Sequence, residues 1–253
     1  PDGRWTASVR QNNVFIKPTD NQGGEIQLSH DGEDGRAYGR LSWSPDSKSL
    51  AAFRIESGER KEVYLIQSSP PGGGRAKLQS RPYALPGDKF TRYELNLFDP
   101  VERKQVKPAV DVFEHEYQSP DVRWKKDGRH FTYQQIDRGH QRFRVLEVDA
   151  ANGDVRNIID EKSRTFIWTA HTENVTLTSV NWLERSDEII YASESNGWRH
   201  LYLVDAEAGK LKNPVTTGEW IVRGIDRIDE TDGQVWFPAS GGFPCRDPDP
   251  FPF

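Results

Sequence analysis

Cysteine is almost missing: Cys245 stands alone among 253 residues, so no intrachain disulfide can form and the redox compartment is left open. No run of about 18 apolar residues occurs, so no segment reads as a transmembrane helix. A basic excess is missing too. The 34 Lys and Arg face 39 Asp and Glu, for a formal net charge of -5. That balance argues against a general nucleic-acid binder or a binder of anionic membranes, either of which needs a basic face, although a local patch remains open. No Gly-x-Ser-x-Gly pentapeptide is present, and no strand–helix alternation could hold such a nucleophile elbow. The six histidines, at 30, 115, 130, 140, 171 and 200, are scattered. His115-Glu116 lacks the second His, four residues on, that a zincin requires, and one Cys cannot make a thiolate zinc site. No catalytic residue, metal site or cofactor is read from the chain. Asn174-Val-Thr176 is a glycosylation sequon only if the chain passes through a glycosylating export route.

What the chain does have is a repeat. Arg40-Leu-Ser-Trp-Ser-Pro-Asp-Ser-Lys-Ser-Leu-Ala-Ala-Phe53 recurs as Asp121-Val-Arg-Trp-Lys-Lys-Asp-Gly-Arg-His-Phe-Thr-Tyr133. It recurs again as Ser179-Val-Asn-Trp-Leu-Glu-Arg-Ser-Asp-Glu-Ile-Ile-Tyr191, where the turn reads as one residue longer. Each copy is a short strand ending in Trp, a polar turn and a second apolar strand. A third strand is expected after each, at Val63–Ile66, Phe143–Val148 and His200–Val204. Two of these continue through a turn into a fourth, at Val155 and Leu211. A series of such four-stranded antiparallel sheets is the signature of a β-propeller. Apolar residues are only 34% of the chain, but 11% are aromatic and eight are Trp, and each aromatic buries a large area. Trp43, Trp124 and Trp182 therefore read as packing between blades.

Taken in order, residues 4–28 read as the rest of a first blade and residues 29–39 as a polar connection. Arg40 to about Val106 forms a second blade, interrupted by the turn-rich Ser68-Ser-Pro-Pro-Gly-Gly-Gly74 and resumed at Tyr93–Phe98. A third blade spans about 120–168 and a fourth 176–216. Glu219–Ile228 and Gln234–Phe237 would open a fifth. The tail 241–253 has four prolines in thirteen residues and cannot form a central strand. Pro1-Asp-Gly-Arg matches the repeat's turn, so the chain is expected to begin inside a blade. The fold expected is all-β: a partial β-propeller of about four four-stranded antiparallel blades, truncated at both ends, over residues 1–240 with a Pro-rich tail.

Ser193-Glu-Ser-Asn-Gly-Trp-Arg-His-Leu-Tyr-Leu203, followed by Thr217-Gly-Glu-Trp-Ile-Val222, resembles the propeller of the dipeptidyl peptidase IV family of serine peptidases, in the prolyl oligopeptidase clan. Ala37-Tyr-Gly-Arg-Leu-Ser-Trp-Ser-Pro-Asp46 and Tyr83-Ala-Leu-Pro-Gly-Asp88 fit that family as well. The resemblance implies a propeller that packs over a C-terminal α/β-hydrolase domain, absent here, and restricts access to its Ser, Asp and His. It also implies a peptide substrate whose free amino terminus is gripped by paired glutamates. A buried ammonium needs carboxylates, and holding it fixes the distance to the nucleophile. Counting back from Ala37, Glu33 matches the second glutamate and is the candidate substrate-binding residue. The partner position is Gly32, and Asp31 and Asp34 are neighbouring acids that do not match the motif. The resemblance favours a periplasmic or extracellular setting and is compatible with a homodimer of the parent. The alternative is a protein-interaction propeller that uses rim loops such as 68–92.

Overall fold

Period-two alternation broken by Gly, Asn, Asp and Pro favours antiparallel strands, and in the computed structural model every strand pairing among the described residues is antiparallel. It describes residues 1–20, 23–115, 118–169, 178–241 and 251–252, and among these there is no helix. By contact density the chain divides into two compact units, residues 1–133 with 148–155 and residues 134–147 with 156–253.

The first sheet is β1 (Trp5–Arg10), β2 (Asn13–Pro18) and β3 (Ile26–Gln27), in that order. Gln11 and Asn12, both at positive φ, make the tight turn between β1 and β2, the conformation that matches strand twist in two-residue hairpins. Next come β4 (Arg36–Trp43) and β5 (Leu50–Glu56), so residues 36–39 belong to a strand and not to the expected connection. A bulge at Arg40 and Leu41 interrupts their register, with Arg40 at positive φ.

Here the structure corrects the expected third strand. Residues 63–66 do not join the blade. They lie in β6 (Glu62–Gln67), which pairs only with β7 (Lys77–Pro82) in a separate two-stranded sheet around the Pro-Pro-Gly-Gly-Gly turn. The place beside β5 goes to β8 (Arg92–Asp99), flanked by β9 (Lys104–Val106) and β10 (Phe113–Glu114). The physical reason is burial. Leu95, Leu97 and Phe98 of β8 are buried, whereas Tyr64, Ile66 and Leu78 of the hairpin stand in solvent.

A four-stranded sheet follows, β11 (Arg123–Trp124), β12 (His130–Ile136), β13 (Arg142–Asp149) and β14 (Val155–Lys162). Another has β15 (Val180–Trp182), β16 (Glu188–Ser193), β17 (His200–Asp205) and β18 (Lys210–Pro214). Residues 219–228 do not form one strand. They split into β19 (Trp220–Val222) and β20 (Arg227–Asp229) around Arg223-Gly224-Ile225-Asp226, and β20 pairs β21 (Gln234–Trp236) while β19 pairs β22 (Ala239–Gly241). In the tail, β23 (Phe251–Pro252) lies at a sheet edge beside β21, where proline is tolerated.

The three Trp-turn units share one register. Trp43 faces Leu50, Trp124 faces Phe131 and Trp182 faces Ile189, the same spacing each time (43 to 50, 124 to 131, 182 to 189), so the third turn has no extra residue. Each turn is closed alike: Ser44, Lys125 and Leu183 donate backbone N–H to the carbonyls of Ser49, His130 and Glu188. Ser47 and Gly128 take the left-handed conformation at the same step, as does Gly3 in the N-terminal copy of the motif. In the first unit, Val14, Ile16 and Leu28 pack with Tyr38, Leu50, Ala52 and Phe98, and Trp43 closes one side. Trp124 donates its indole N–H to Ser42 Oγ (2.9 Å), which ties β11 to β4. In the second unit, Phe143, Val145 and Ile158 meet Val180, Ile189 and Val204, with Trp182 against them.

Candidate functional site

Glu33 sits on a two-residue turn. Its backbone pairs with Arg36 across Asp34 and Gly35, and Gly35 supplies the positive φ the turn needs. Arg36 then begins β4, and the register of the sheet does the rest. Arg36 lies opposite Glu56, Glu56 opposite Arg92, and Arg92 opposite Glu114. The side chains follow: Glu33–Arg36 at 3.5 Å, Arg36–Glu56 at 3.3 Å, Arg92–Glu56 at 3.4 Å and Arg92–Glu114 at 3.8 Å. Glu33 thus terminates a ladder of alternating charge that crosses four strands. Three carboxylates alternate with two guanidiniums along it. Glu33, at one end, is the most accessible of its members, with the side chain 61% exposed.

A second row lies alongside. Arg54 donates Nε–H to Glu94 Oε2 (2.8 Å) and Nη1–H to Asp31 Oδ2 (3.2 Å), and Lys107 Nζ reaches Asp31 Oδ2 at 3.0 Å. The Tyr38 hydroxyl donates to Asp31 Oδ1 (2.7 Å). Burial pushes the Asp31 carboxyl up, but the Tyr38 hydroxyl, Lys107 and Arg54 together outweigh it and hold the group below the usual carboxylate range. Burial, and then the Asp31 carboxylate, push the Tyr38 hydroxyl well above its ordinary value. Asp31 is fully engaged. It is no second carboxylate for a ligand.

Gly32 cannot become one. Its N–H donates to Asn13 Oδ1 (2.9 Å), its carbonyl accepts from Asn13 Nδ2 (3.3 Å), and a Cβ there would stand 2.0 Å from the Asn12 carbonyl oxygen. The cavity between Arg36, Arg54, Glu56, Arg92, Glu94 and Val112 holds about 30 Å³, room for a water or two and not for a side chain. A ligand at this site must therefore meet Glu33 from the open side. The arginines and Glu56 and Glu94 escaped the sequence reading because their pairing depends on register. Their signal is the alternation of Arg and Glu at ladder positions, legible once β8 is placed beside β5.

The Arg-His-Leu-Tyr motif has a different character. His200 is fully buried, and its Nε2 lies 2.9 Å from the Gly218 carbonyl, which can only accept, so Nε2 carries the proton. Nδ1 then accepts from the Thr216 hydroxyl (3.0 Å), whose oxygen accepts the Leu201 N–H (2.9 Å). The ring stands edge-on to Trp220 at 4.9 Å. This is a structural histidine. Trp198 is exposed while Arg199 is buried, and the two form no cation–π pair among the described residues. Among those residues there is also no group of three or more His, Cys, Asp or Glu placed to hold a metal. The sequon at 174–176, His171, Glu116 and Cys245 lie outside the described residues.

A family model described as the dipeptidyl peptidase IV (DPP IV) N-terminal region matches residues 1–247. Among relatives, a "Probable dipeptidyl peptidase 4" of Aspergillus flavus is 25% identical over 267 residues, which cover 94% of this chain and 33% of that protein. The "Dipeptidyl peptidase 4" of Trichophyton rubrum is 23% identical over 209 residues, covering 79% of this chain and 26% of that protein. Among solved structures, dipeptidyl peptidase 4 from Porphyromonas gingivalis aligns with a TM-score of 0.64 at 21% identity, over 94% of this chain and 34% of that one. A putative dipeptidyl aminopeptidase IV from Bacteroides ovatus aligns with a TM-score of 0.53 at 17% identity, over 94% of this chain and 37% of that one. The chain spans about a quarter to a third of the length of the curated relatives it matches.

Proposed function

Because the chain belongs to the dipeptidyl peptidase IV N-terminal region family, we propose that it serves as the non-catalytic, substrate-gating propeller of a serine exopeptidase, with hydrolysis left to a domain outside these residues. The intact protein would release N-terminal dipeptides, and Glu33 would receive the substrate's free ammonium. The observation that carries this reading is the family match over 1–247, and the charge ladder that ends on an accessible Glu33 supports its placement at the site. An exposed ion pair contributes only about 0–1 kcal/mol, so Glu33 would grip an amine firmly only where bound substrate excludes water.

The test uses the full-length protein with a chromogenic Xaa-Pro amide and its N-acetylated form. Cleavage of only the free-amine form is expected. Glu33→Gln should lower kcat/KM about tenfold or more, equivalent to about 1.4 kcal/mol of transition-state stabilisation. Equal cleavage of both substrates would leave a propeller that filters by size alone. No cleavage of either would count against the peptidase reading. One observation favours a second reading, a contact surface for a second copy of the chain. The β6–β7 hairpin leaves Tyr64, Ile66 and Leu78 about 70% exposed (68%, 73% and 70%) on a sheet with two unpaired edges.

A further inference from the structure

We infer that a recess in the second unit, walled by the end of β14, the residues after it and the β16–β17 turn, is a carboxylate-binding site with Arg199 as its cation. The recess has a volume of about 280 Å³ and is lined by Glu161, Arg164, Phe166, Trp168, Glu194 and Arg199, among others. Three features of Arg199 carry the inference, and none depends on the peptidase reading or on Glu33.

The first is burial without a partner. Arg199 is only 5% exposed, its Nε has no acceptor, and its side chain makes no hydrogen bond or ion pair among the described residues. The other buried arginine among the described residues, Arg144, is paired with Asp137. An arginine cannot shed its proton to escape burial, so a desolvated and unpaired guanidinium is costly unless a ligand supplies the acceptor. Burial pulls the Arg199 guanidinium down from its ordinary value, against the weaker pull of Glu194 and Tyr191.

The second is rigidity. The Arg199 carbonyl accepts the Val222 N–H (2.8 Å), and the next residue is the doubly anchored His200. The turn before it is braced by Ser195 N–H to Ser193 Oγ (3.1 Å), Trp198 N–H to Asn196 Oδ1 (2.9 Å) and Gly197 N–H to the Glu194 carbonyl (2.9 Å). The backbone that carries Arg199 is therefore held firmly at the start of β17.

The third is the charge and shape of the surroundings. Among the described lining residues, Lys162, Arg164 and Arg199 stand with Glu161 and Glu194, three cations to two carboxylates, leaving one positive charge. Glu161 is already engaged, accepting the Tyr191 hydroxyl at 2.7 Å. A monoanion balances the recess, whereas a phosphate dianion would leave it negative. A planar carboxylate also matches the guanidinium fork with two parallel hydrogen bonds. Trp168 and Phe166, the latter stacked on His140 at 4.9 Å, give the recess an aromatic wall. The ligand class is therefore a carboxylate attached to an apolar or aromatic group. A peptide offers this in two ways, at its C-terminus or on an acidic side chain.

The test titrates the protein with N-acetyl-phenylalanine, its amide, N-acetyl-aspartate amide and inorganic phosphate, followed by calorimetry and by the fluorescence that Trp168→Phe removes. At least one carboxylate should bind about tenfold or more tightly than N-acetyl-phenylalanine amide, as expected for a charge-assisted bidentate contact. The acid that binds better identifies the source, chain terminus or acidic side chain. Arg199→Lys should weaken that binding and Arg199→Gln abolish it. Acids and amide binding alike, neither acid binding at millimolar concentration, or phosphate binding more tightly than both acids would each overturn the inference. These comparisons are made on the unaltered protein, so they decide the matter even if the Arg199 variants fail to fold.

Discussion

Replacing His200 with Ala would remove more than one contact, and the size of the loss follows from its surroundings. Two hydrogen bonds go, Nε2–H to the Gly218 carbonyl and Thr216 Oγ–H to Nδ1, each with a net contribution of about 1 kcal/mol. The edge-on contact with Trp220 goes as well, a further 0.5–1.5 kcal/mol or so. A fully buried ring also leaves a cavity beside Trp220 and Thr216, so the expected total is about 3–5 kcal/mol. That is a large part of the roughly 5–15 kcal/mol by which a domain is stable. Urea unfolding followed by tryptophan fluorescence would read it, with Leu211→Ala, at an exposed position, as a control expected within about 0.5 kcal/mol of the parent. His200→Leu separates the contributions. It refills the space but leaves the Gly218 carbonyl without its donor, and should cost about 1–3 kcal/mol. A loss below about 1 kcal/mol for His200→Ala would refute the reasoning.

Gly32→Glu would not complete a glutamate pair. The new Cβ collides with the Asn12 carbonyl, so a destabilisation of about 1–3 kcal/mol is expected with no gain in amine binding, and a normal melting temperature would contradict this. Acid should weaken the fold through specific pairs. Hydrogen bonds from Arg129 and Arg142 hold the carboxyls of Asp149 and Asp160 below the usual range. A depressed folded-state pKa contributes stability that is complete above the unfolded value, about 4, and lost as pH falls through the folded one. The urea midpoint should therefore drop between pH 5 and pH 3, and Arg142→Gln should start lower and drop less; parallel declines would sink the idea. Ile66→Lys on the β6–β7 hairpin should leave stability within about 0.5 kcal/mol. It should also reduce self-association in sedimentation, and an unchanged mass distribution would remove the hairpin from consideration as a contact surface.

Local signals determined most of the blades. Trp43, Trp124 and Trp182 mark strand ends because a short polar turn closed by one backbone hydrogen bond follows each, and that chemistry lies within about eight residues of sequence. Family membership was legible at Arg199-His-Leu-Tyr202 and Thr217–Val222, because His200 meets Thr216 and Gly218 across a single hairpin, 16 and 18 residues on. What tertiary structure alone decided is every choice between competing partners. Residues 63–66 and 93–98 alternate equally well, and only the burial available beside β5 selects β8 and leaves β6 in a hairpin outside the blade. Likewise Glu33, Arg36, Glu56, Arg92 and Glu114 are ordinary charges in sequence. They become a ladder because strand register sets them opposite one another. The setting of Arg199 was invisible for the converse reason: that none of the described residues offers an acceptor to its Nε is decided only when distant strands pack.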